Sequence, residues 1–343
     1  MRPDAAPMKR FLAMAVLGLA ASAAAAGWVW WRYAHAPLAL ASAGIQIEID
    51  RGTAGAAVGA ALRRQGVEVP AWLFSLALRL RGDAPKIRAG NYELAAPLTL
   101  RALLDRLTRG DVTLRDLTLI EGWTFRQVRA ALARHPDLKH ETDALSDAEL
   151  LARLGIPESH PEGLFAPDTY AFARGSTDLE VLRRAYRLQQ SHLKVAWDAR
   201  MARPDPPPYR TPYEALVMAS IVEKETGREE DRAKVAAVFV NRLKRGMMLQ
   251  SDPTTIYGLG EAFDGNLRRR DLVADTPYNT YTRTGLTPTP ISMPGRASIA
   301  AALDPAPITA LYFVARGDGS SEFSNDLAAH NRAVARYQRK AAP

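Results

Sequence analysis

The sequence predicts an α+β protein with one N-terminal transmembrane helix, a small α/β subdomain and a mixed, helix- and loop-rich C-terminal domain. Three observations carry this expectation. An uncharged, Ala- and Leu-rich run extends from Phe11 to Trp31. A pattern of strand, glycine turn and helix then occurs twice, at a constant offset of 70 residues. From Thr211 onward, helical patterns flank a long segment dense in Pro, Gly, Thr and Tyr. The expected boundaries are a cytoplasmic N-terminus over 1–10, an anchor over 11–31, the subdomain over 40–135, a helical bridge over 136–208 and the C-terminal domain over 209–343.

The 343 residues are 47% hydrophobic, enough for a core in each of two domains. Lys and Arg number 45 against 37 Asp and Glu, a net charge of +8 that suits an anionic neighbour. Cysteine is absent, which excludes disulfides, thiolate catalysis, cysteine-ligated zinc and lipid attachment through cysteine. The six histidines are scattered without metal spacing, so neither a metal nor a cofactor is expected.

The apolar run is long enough to cross a hydrocarbon core at about 1.5 Å per residue. Arg2, Lys9 and Arg10 precede it, and Trp28, Trp30, Trp31 and Tyr33 cluster where it ends. Basic residues on one side and aromatics at the other favour a cytoplasmic N-terminus, with everything after about Arg32 outside the cytoplasm. The alternative is a cleaved signal peptide with its site in the small residues Ala21 to Ala26; the length of the run and its tryptophans favour the anchor. This topology argues against nucleic acid as a partner.

Ile45 to Asp50 alternates like a strand, and Gly52-Thr53 leads into a helix through Val58 and Leu62. Leu117 to Ile120, Gly122, and Val128 to Leu132 repeat the arrangement. Between the copies, 89–94 reads as a strand and Leu98 to Arg109 as an amphipathic helix. A helix from Leu179 to Arg200 follows the bridge, and Pro204 to Pro208 forms a stiff connector. Thr211-Pro212-Tyr213-Glu214 is a helix start with N-cap, first-turn proline and capping box, and Gly227 is the expected stop. Beyond it come a second helix, the loop-rich middle from Gln250 to Gly295, a strand at Leu311 to Ala315 and a terminal helix.

At 100° per residue, Val217, Met218, Ile221 and Val222 gather on one side of the Thr211 helix, and Ser220, Glu223 and Lys224 on the other. Glu225 falls with the apolar set. A carboxyl directed at a core must be paired, hydrogen-bonded or protonated, and burial raises its pKa toward that of a general acid. Alternatively it reaches water from the last turn, or pairs with Arg228 or Arg232. Glu223 is expected to be a solvated or ion-paired surface residue. There is no G-x-S-x-G, H-E-x-x-H or P-loop motif, which leaves carboxylate acid–base chemistry. Gln250, Ser251, Asp252, Tyr278, Asn279 and Tyr281 are polar and aromatic groups able to line a groove for a sugar chain, although such loops also occur as irregular packing.

Ala219 to Thr226, Val238 to Leu243, Leu249 to Thr254, Tyr278 to Tyr281 with Gly285-Leu286, and Phe323-Ser324 through His330-Asn331 resemble, in order and spacing, the endolytic murein transglycosylase (YceG-like) family. The likeness extends through Glu121-Gly122 and Pro167-Asp168-Thr169 over nearly the whole chain; Thr287 to Pro290 departs from it. The repeated strand-helix units resemble the LysM-like region of bacterial cell-wall proteins. The resemblance implies a single-pass enzyme of the bacterial inner membrane, with its catalytic domain in the periplasm, that cleaves peptidoglycan glycan strands internally. It places the catalytic role on Glu225 and brings Asn241 into the substrate-binding set. Peptidoglycan synthases are the partners such a position suggests. Glu225-Thr226 also resembles the Glu-Ser pair of soluble lytic transglycosylases, and Tyr278-Asn279 their Tyr-Asn motif. Asp252 is the candidate second carboxylate if one is needed, or a turn former before Pro253. A conventional glycoside hydrolase and a non-catalytic wall-binding scaffold are the competing readings.

Overall fold

The computed structural model describes residues 6–50, 52–53, 55–200 and 204–338. Arg2, which the topology argument uses, lies outside the described residues, as does 339–343. The chain forms two compact units, Met1–Arg115 and Asp116–Pro343.

The first unit opens with α1 (Ala6–Ala34). Its stretch Phe11–Ala34, 24 residues, is long and apolar enough to cross a membrane, with an 18-residue window of mean hydropathy 1.9 that is not buried against the protein. The remainder is β1 (Ala39–Leu40), β2 (Gly44–Ile49), α2 (Gly55–Arg64), β3 (Val67–Glu68), α3 (Ala71–Arg81), β4 (Gly90–Ala95) and α4 (Leu100–Arg109). β2 and β4 pair antiparallel, with Ile47 opposite Tyr92. The period of two sends Ile47, Ile49, Tyr92 and Leu94 to one face, where they meet Val58, Leu62, Phe74, Leu103 and Leu107 in a single core. Thr99 caps α4 by accepting from the Ala102 amide, as a helix start requires.

β5 (Leu114–Thr118) carries the chain across the division. The second unit continues with α5 (Phe125–Arg134), α6 (Asp147–Leu154), β6 (Thr169–Ala173), α7 (Asp178–Ala199), α8 (Pro212–Glu225) and α9 (Glu229–Lys244). It ends with α10 (Asp252–Leu259), α11 (Arg269–Val273), α12 (Arg296–Leu303), β7 (Tyr312–Ala315), β8 (Ser321–Ser324) and α13 (Leu327–Tyr337). β5 pairs with β6, and β7 with β8. Its core gathers Leu132, Leu150, Phe165, Leu182, Leu216, Ile221, Phe239 and Ile299.

The division at 115/116 precedes the expected boundary at 135. The two repeated helices do share their phasing, since Val58, Leu62, Val128 and Leu132 are all buried. They bury into different cores, however: α5 and the segment 136–208 build the second unit's core. A repeat in sequence therefore does not mark one subdomain here.

α8 starts as expected, with Thr211 accepting from the Glu214 amide. The capping box does not close, because the Glu214 carboxylate reaches past the cap to the Arg210 amide. Gly227 is not the stop either. α8 ends at Glu225, Thr226 turns extended at φ −147°, and Gly227 lacks a left-handed φ. The Thr226 hydroxyl accepts from the Arg228 amide and turns the chain into α9.

Glu162 fastens α5 to this unit. It is buried, accepting from the Phe125 amide at 2.9 Å and from the Tyr257 hydroxyl at 3.1 Å. Burial pushes its pKa up from 4.5 to about 7, against those two hydrogen bonds. Because the folded value is raised, the stability it contributes is present below the ordinary carboxylate range and is lost as pH rises through about 7. Glu162→Gln should therefore raise the unfolding free energy at pH 8 by up to about 3 kcal/mol, seen as a higher urea midpoint, and leave both nearly unchanged at pH 4. Equal midpoints of the two proteins at pH 8 would contradict this assignment.

Candidate active site

Every residue of α8 from Ala215 to Val222 is buried, Ser220 included. Of the polar face expected from Ser220, Glu223 and Lys224, Lys224 is exposed and Glu223 half-buried, whereas Ser220 is fully buried because α7, α9, α10 and α12 all pack on this helix. Ser220 instead organises a neighbouring segment. Its hydroxyl donates to the Val217 carbonyl and accepts from the Ile291 amide at 2.9 Å, while its carbonyl accepts from the Ser292 hydroxyl at 3.1 Å. Met293 continues the tie, exchanging backbone hydrogen bonds with Trp123 and Gly122. The Gln189 amide, fully buried on α7, donates to the carbonyls of Gly163 and Pro294.

Glu223 belongs to this scaffold and is not a solvated surface group. Its carboxylate accepts from the Gly295 amide at 2.9 Å. Beside it lies Glu121, whose pKa is raised by burial and then by the Glu223 charge, with Arg232 opposing. A Cβ on Gly295 would stand 1.9 Å from the Glu121 carboxylate oxygen, so any side chain here must displace Glu121.

Glu225, the last residue of α8, differs. Its Oε1 accepts from the buried Ser251 hydroxyl. Its residue surface is only partly covered, yet burial around the carboxyl pushes its pKa from 4.5 to about 7. The Ser251 bond opposes that rise, the Asp252 charge adds to it and the Arg242 charge opposes it. The expected alternative pairing with Arg228 is not seen, as that guanidinium turns to Glu230.

The loop carrying Ser251 is held by threonines. The Ser251 amide donates to Thr280 Oγ1 at 3.0 Å, and Thr254 Oγ1 donates to the Ser251 carbonyl at 2.7 Å. Gln250 takes a left-handed φ of 54°, uncommon for a side-chain-bearing residue, immediately before it. Its side-chain oxygen accepts from Arg242 Nη1. Asp252 is exposed and accepts from the Tyr281 hydroxyl. Asp252 also opens α10, with Pro253 behind it in the first turn, so a segment read as loop is helical.

Glu225, Gln250, Ser251, Asp252 and Tyr281 thus form one cluster. Tyr278 lies beside Tyr257, edge to face at 5.0 Å, and its hydroxyl pairs with Thr289. Asn279 does not fit the expected sugar contact. It is fully buried; its amide nitrogen donates to the carbonyls of Asp271, Leu272 and Ala274, and its oxygen accepts from Thr255 and the Tyr281 amide. Asn241 likewise turns inward, donating to the carbonyls of Ile308 and Ala310. The residue that sequence reasoning missed is its neighbour Arg242. That guanidinium is buried, donates to the carbonyls of Met248, Leu249 and Leu311, and faces Glu225 and Tyr281. An arginine three and four positions after Phe239 and Val238 on a buried helix face was the available signal.

Fold and site together define a mixed α/β protein whose candidate chemistry rests on one carboxyl held protonated near neutrality at a helix end. The chain belongs to the YceG-like family, whose family model matches residues 47–336. It is 33% identical over 306 residues to the endolytic murein transglycosylase of Bacillus subtilis (strain 168), covering 84% of this chain and 83% of that one. An endolytic murein transglycosylase of Streptococcus pneumoniae is 27% identical over 322 residues, covering 84% of this chain and 57% of that longer one. The crystal structure of a yceG-like protein from Listeria monocytogenes matches with a TM-score of 0.55 at 31% identity, covering 84% of this chain and 98% of that one.

Gly295→Ala should lower stability by about 1–3 kcal/mol, because the added methyl must displace Glu121 or break the Gly295–Glu223 hydrogen bond. Thermal melting checks it; an unchanged midpoint would show that the Glu121–Glu223 pair does not pin this segment.

Proposed function

We propose that this chain is a lytic transglycosylase that cleaves MurNAc–GlcNAc bonds within peptidoglycan strands, with Glu225 as its one catalytic residue. The observation that carries this is the Glu225 carboxyl itself, desolvated, raised to about 7 and bonded to a neutral hydroxyl rather than to a cation. The relatives named endolytic murein transglycosylases support the same reading.

In the proposed reaction the Ser251 hydroxyl occupies Oε1, which leaves Oε2 to carry the proton. That proton passes to the oxygen linking MurNAc to GlcNAc as the C1–O bond breaks, and GlcNAc leaves with a free hydroxyl. The Glu225 carboxylate, stabilised by Ser251 and the Arg242 charge, then takes the proton from the MurNAc C6 hydroxyl. O6 closes on C1 and gives a 1,6-anhydro end. The nucleophile is part of the substrate, so no second carboxylate has to activate water. Positive charge at C1 develops beside the Tyr281 hydroxyl and the Asp252 carboxylate. Asn279, with its hydrogen-bonding capacity used internally, has no part in this step.

With α1 as a single-pass anchor of the inner membrane, the second unit lies in the periplasm and meets newly made strands first. The enzyme then acts as a terminator of glycan elongation, with peptidoglycan synthases as its neighbours. The first unit, in which β2 and β4 enclose α2 and α3 in sequence, is read as the LysM-like glycan-binding module.

Mass spectrometry of peptidoglycan treated with the chain tests the reaction. Anhydro-ended fragments are expected, with Glu225→Gln reducing them by about a hundred- to ten-thousandfold and Glu223→Gln leaving cleavage at the same centre. Reducing ends would mean a hydrolase using Asp252, and cleavage unaffected by Glu225→Gln would mean that the acid lies elsewhere.

The pH profile gives an independent check. The acid form is required, so kcat/KM should decline as pH rises through about 7. Ser251→Ala removes a bond that favours the carboxylate and should move this decline to higher pH. Asp252→Asn removes a repelling charge and should move it lower, with near-normal cleavage at acid pH. Shifts of the same sign in both variants would contradict the proposed electrostatics.

A further inference from the structure

The helix α3 is apolar on two faces. Leu73, Phe74, Ala77 and Leu78 enter the first unit's core, while Trp72 is 50% and Leu80 79% exposed. Trp72, Leu76 and Leu80 recur every fourth residue and form one outward stripe. The stripe is continuous with the end of α1. The Trp28 ring stacks on Trp72, with centroids 6.2 Å apart and planes 10° from parallel. A cavity of about 660 Å³ between the helices is lined by Val29, Trp30, Leu76 and Leu80, with Arg101 among its polar groups. The arrangement is fixed, because Arg81 on α3 donates to the Tyr33 hydroxyl of α1 and to Asp105 of α4.

We propose that the outer face of α3 seats in the headgroup–acyl boundary of the bilayer that α1 crosses, so that the first unit lies on the membrane surface and does not hang free from its anchor. The inference rests on reading α1 as a membrane span. Trp28, Trp30 and Trp31 then mark the interface, and the stack with Trp28 places Trp72 at the same depth. Leu76 and Leu80 extend the apolar surface beside this end of α1. Exposed Arg79 and Arg101 flank it, suited to lipid phosphates. Over residues 33–115 eleven basic residues face seven acidic ones, which favours an anionic leaflet. The sheet's outer face, where Glu93 is exposed, points the opposite way from the helix layer.

The chain has no cysteine, so a single introduced thiol reports one position. The full chain is reconstituted into phosphatidylcholine–phosphatidylglycerol vesicles as Leu80→Cys or Glu93→Cys, each carrying a polarity-sensitive fluorophore; both positions are exposed, so neither change disturbs the core. Flotation of the vesicles tests the anchor separately. The expected result is a floating protein whose label at 80 is blue-shifted, quenched by nitroxide lipids and several-fold less quenched by iodide than the label at 93. A floating protein with equal iodide quenching at both positions would overturn the seating of α3 and leave the anchor intact. Failure to float would overturn the anchor and, with it, this proposal.

Discussion

A helix buried on every side ends in an acid, and the site depends on that constraint. With α7, α9, α10 and α12 packed against it, α8 has no freedom to rotate or shift without opening the second unit's core. Its last residue is therefore delivered to one place. Ser220 turns the same rigidity outward by accepting hydrogen bonds from the Ile291 amide and the Ser292 hydroxyl. The Gly295 amide then reaches the Glu223 carboxylate. One helix thereby positions both the acid and the segment beside it, and a buried serine costs little because its hydroxyl and carbonyl are satisfied.

The two carboxylates of the Glu-Lys-Glu triplet have different work because they leave the helix in different directions. Glu223 is held by a backbone amide and faces another carboxylate, Glu121, in a structural pair. Glu225 faces a hydroxyl, with Arg242 close enough to stabilise its ionised form and Asp252 close enough to destabilise it. Burial sets the magnitude, and the three neighbours trim it. The proposed role of Glu225 as a general acid near neutrality needs a proton held loosely enough to give and tightly enough to keep, and an environment that is mostly desolvation suits that balance.

Much of this was legible in the sequence where a local signal and the tertiary outcome agree. The apolar helix α1, the Thr211 cap, α7, and the different settings of Glu223 and Glu225 all follow from period and capping chemistry. Other features required the three-dimensional neighbours. Ser220 reads as polar-face on a helical wheel, but the stretch from Ala215 to Val222 is enclosed on all sides and leaves it no solvent face to occupy. Gly227 is the stop that local chemistry predicts for α8, whereas an extended Thr226 ends the helix without any left-handed residue. Asn279 and Asn241 have side chains suited to sugar hydroxyls, and only the carbonyls around them show that these amides are used internally. Arg242 reads as an ordinary surface cation in the sequence, since burial of a guanidinium is not encoded locally. The repeat misplaced the boundary because equal phasing of two helices says nothing about which core each one joins.

The central claim is that burial at the end of α8 holds a proton on Glu225 near neutral pH. The most direct test is a carbon-13 titration of the glutamate side-chain carboxyls in the intact chain, with Glu225→Gln identifying the resonance that disappears. The account predicts that this resonance titrates at about pH 7. A midpoint at the ordinary glutamate value of about 4.3 would contradict it, and would leave Glu225 ionised where the proposed reaction needs an acid.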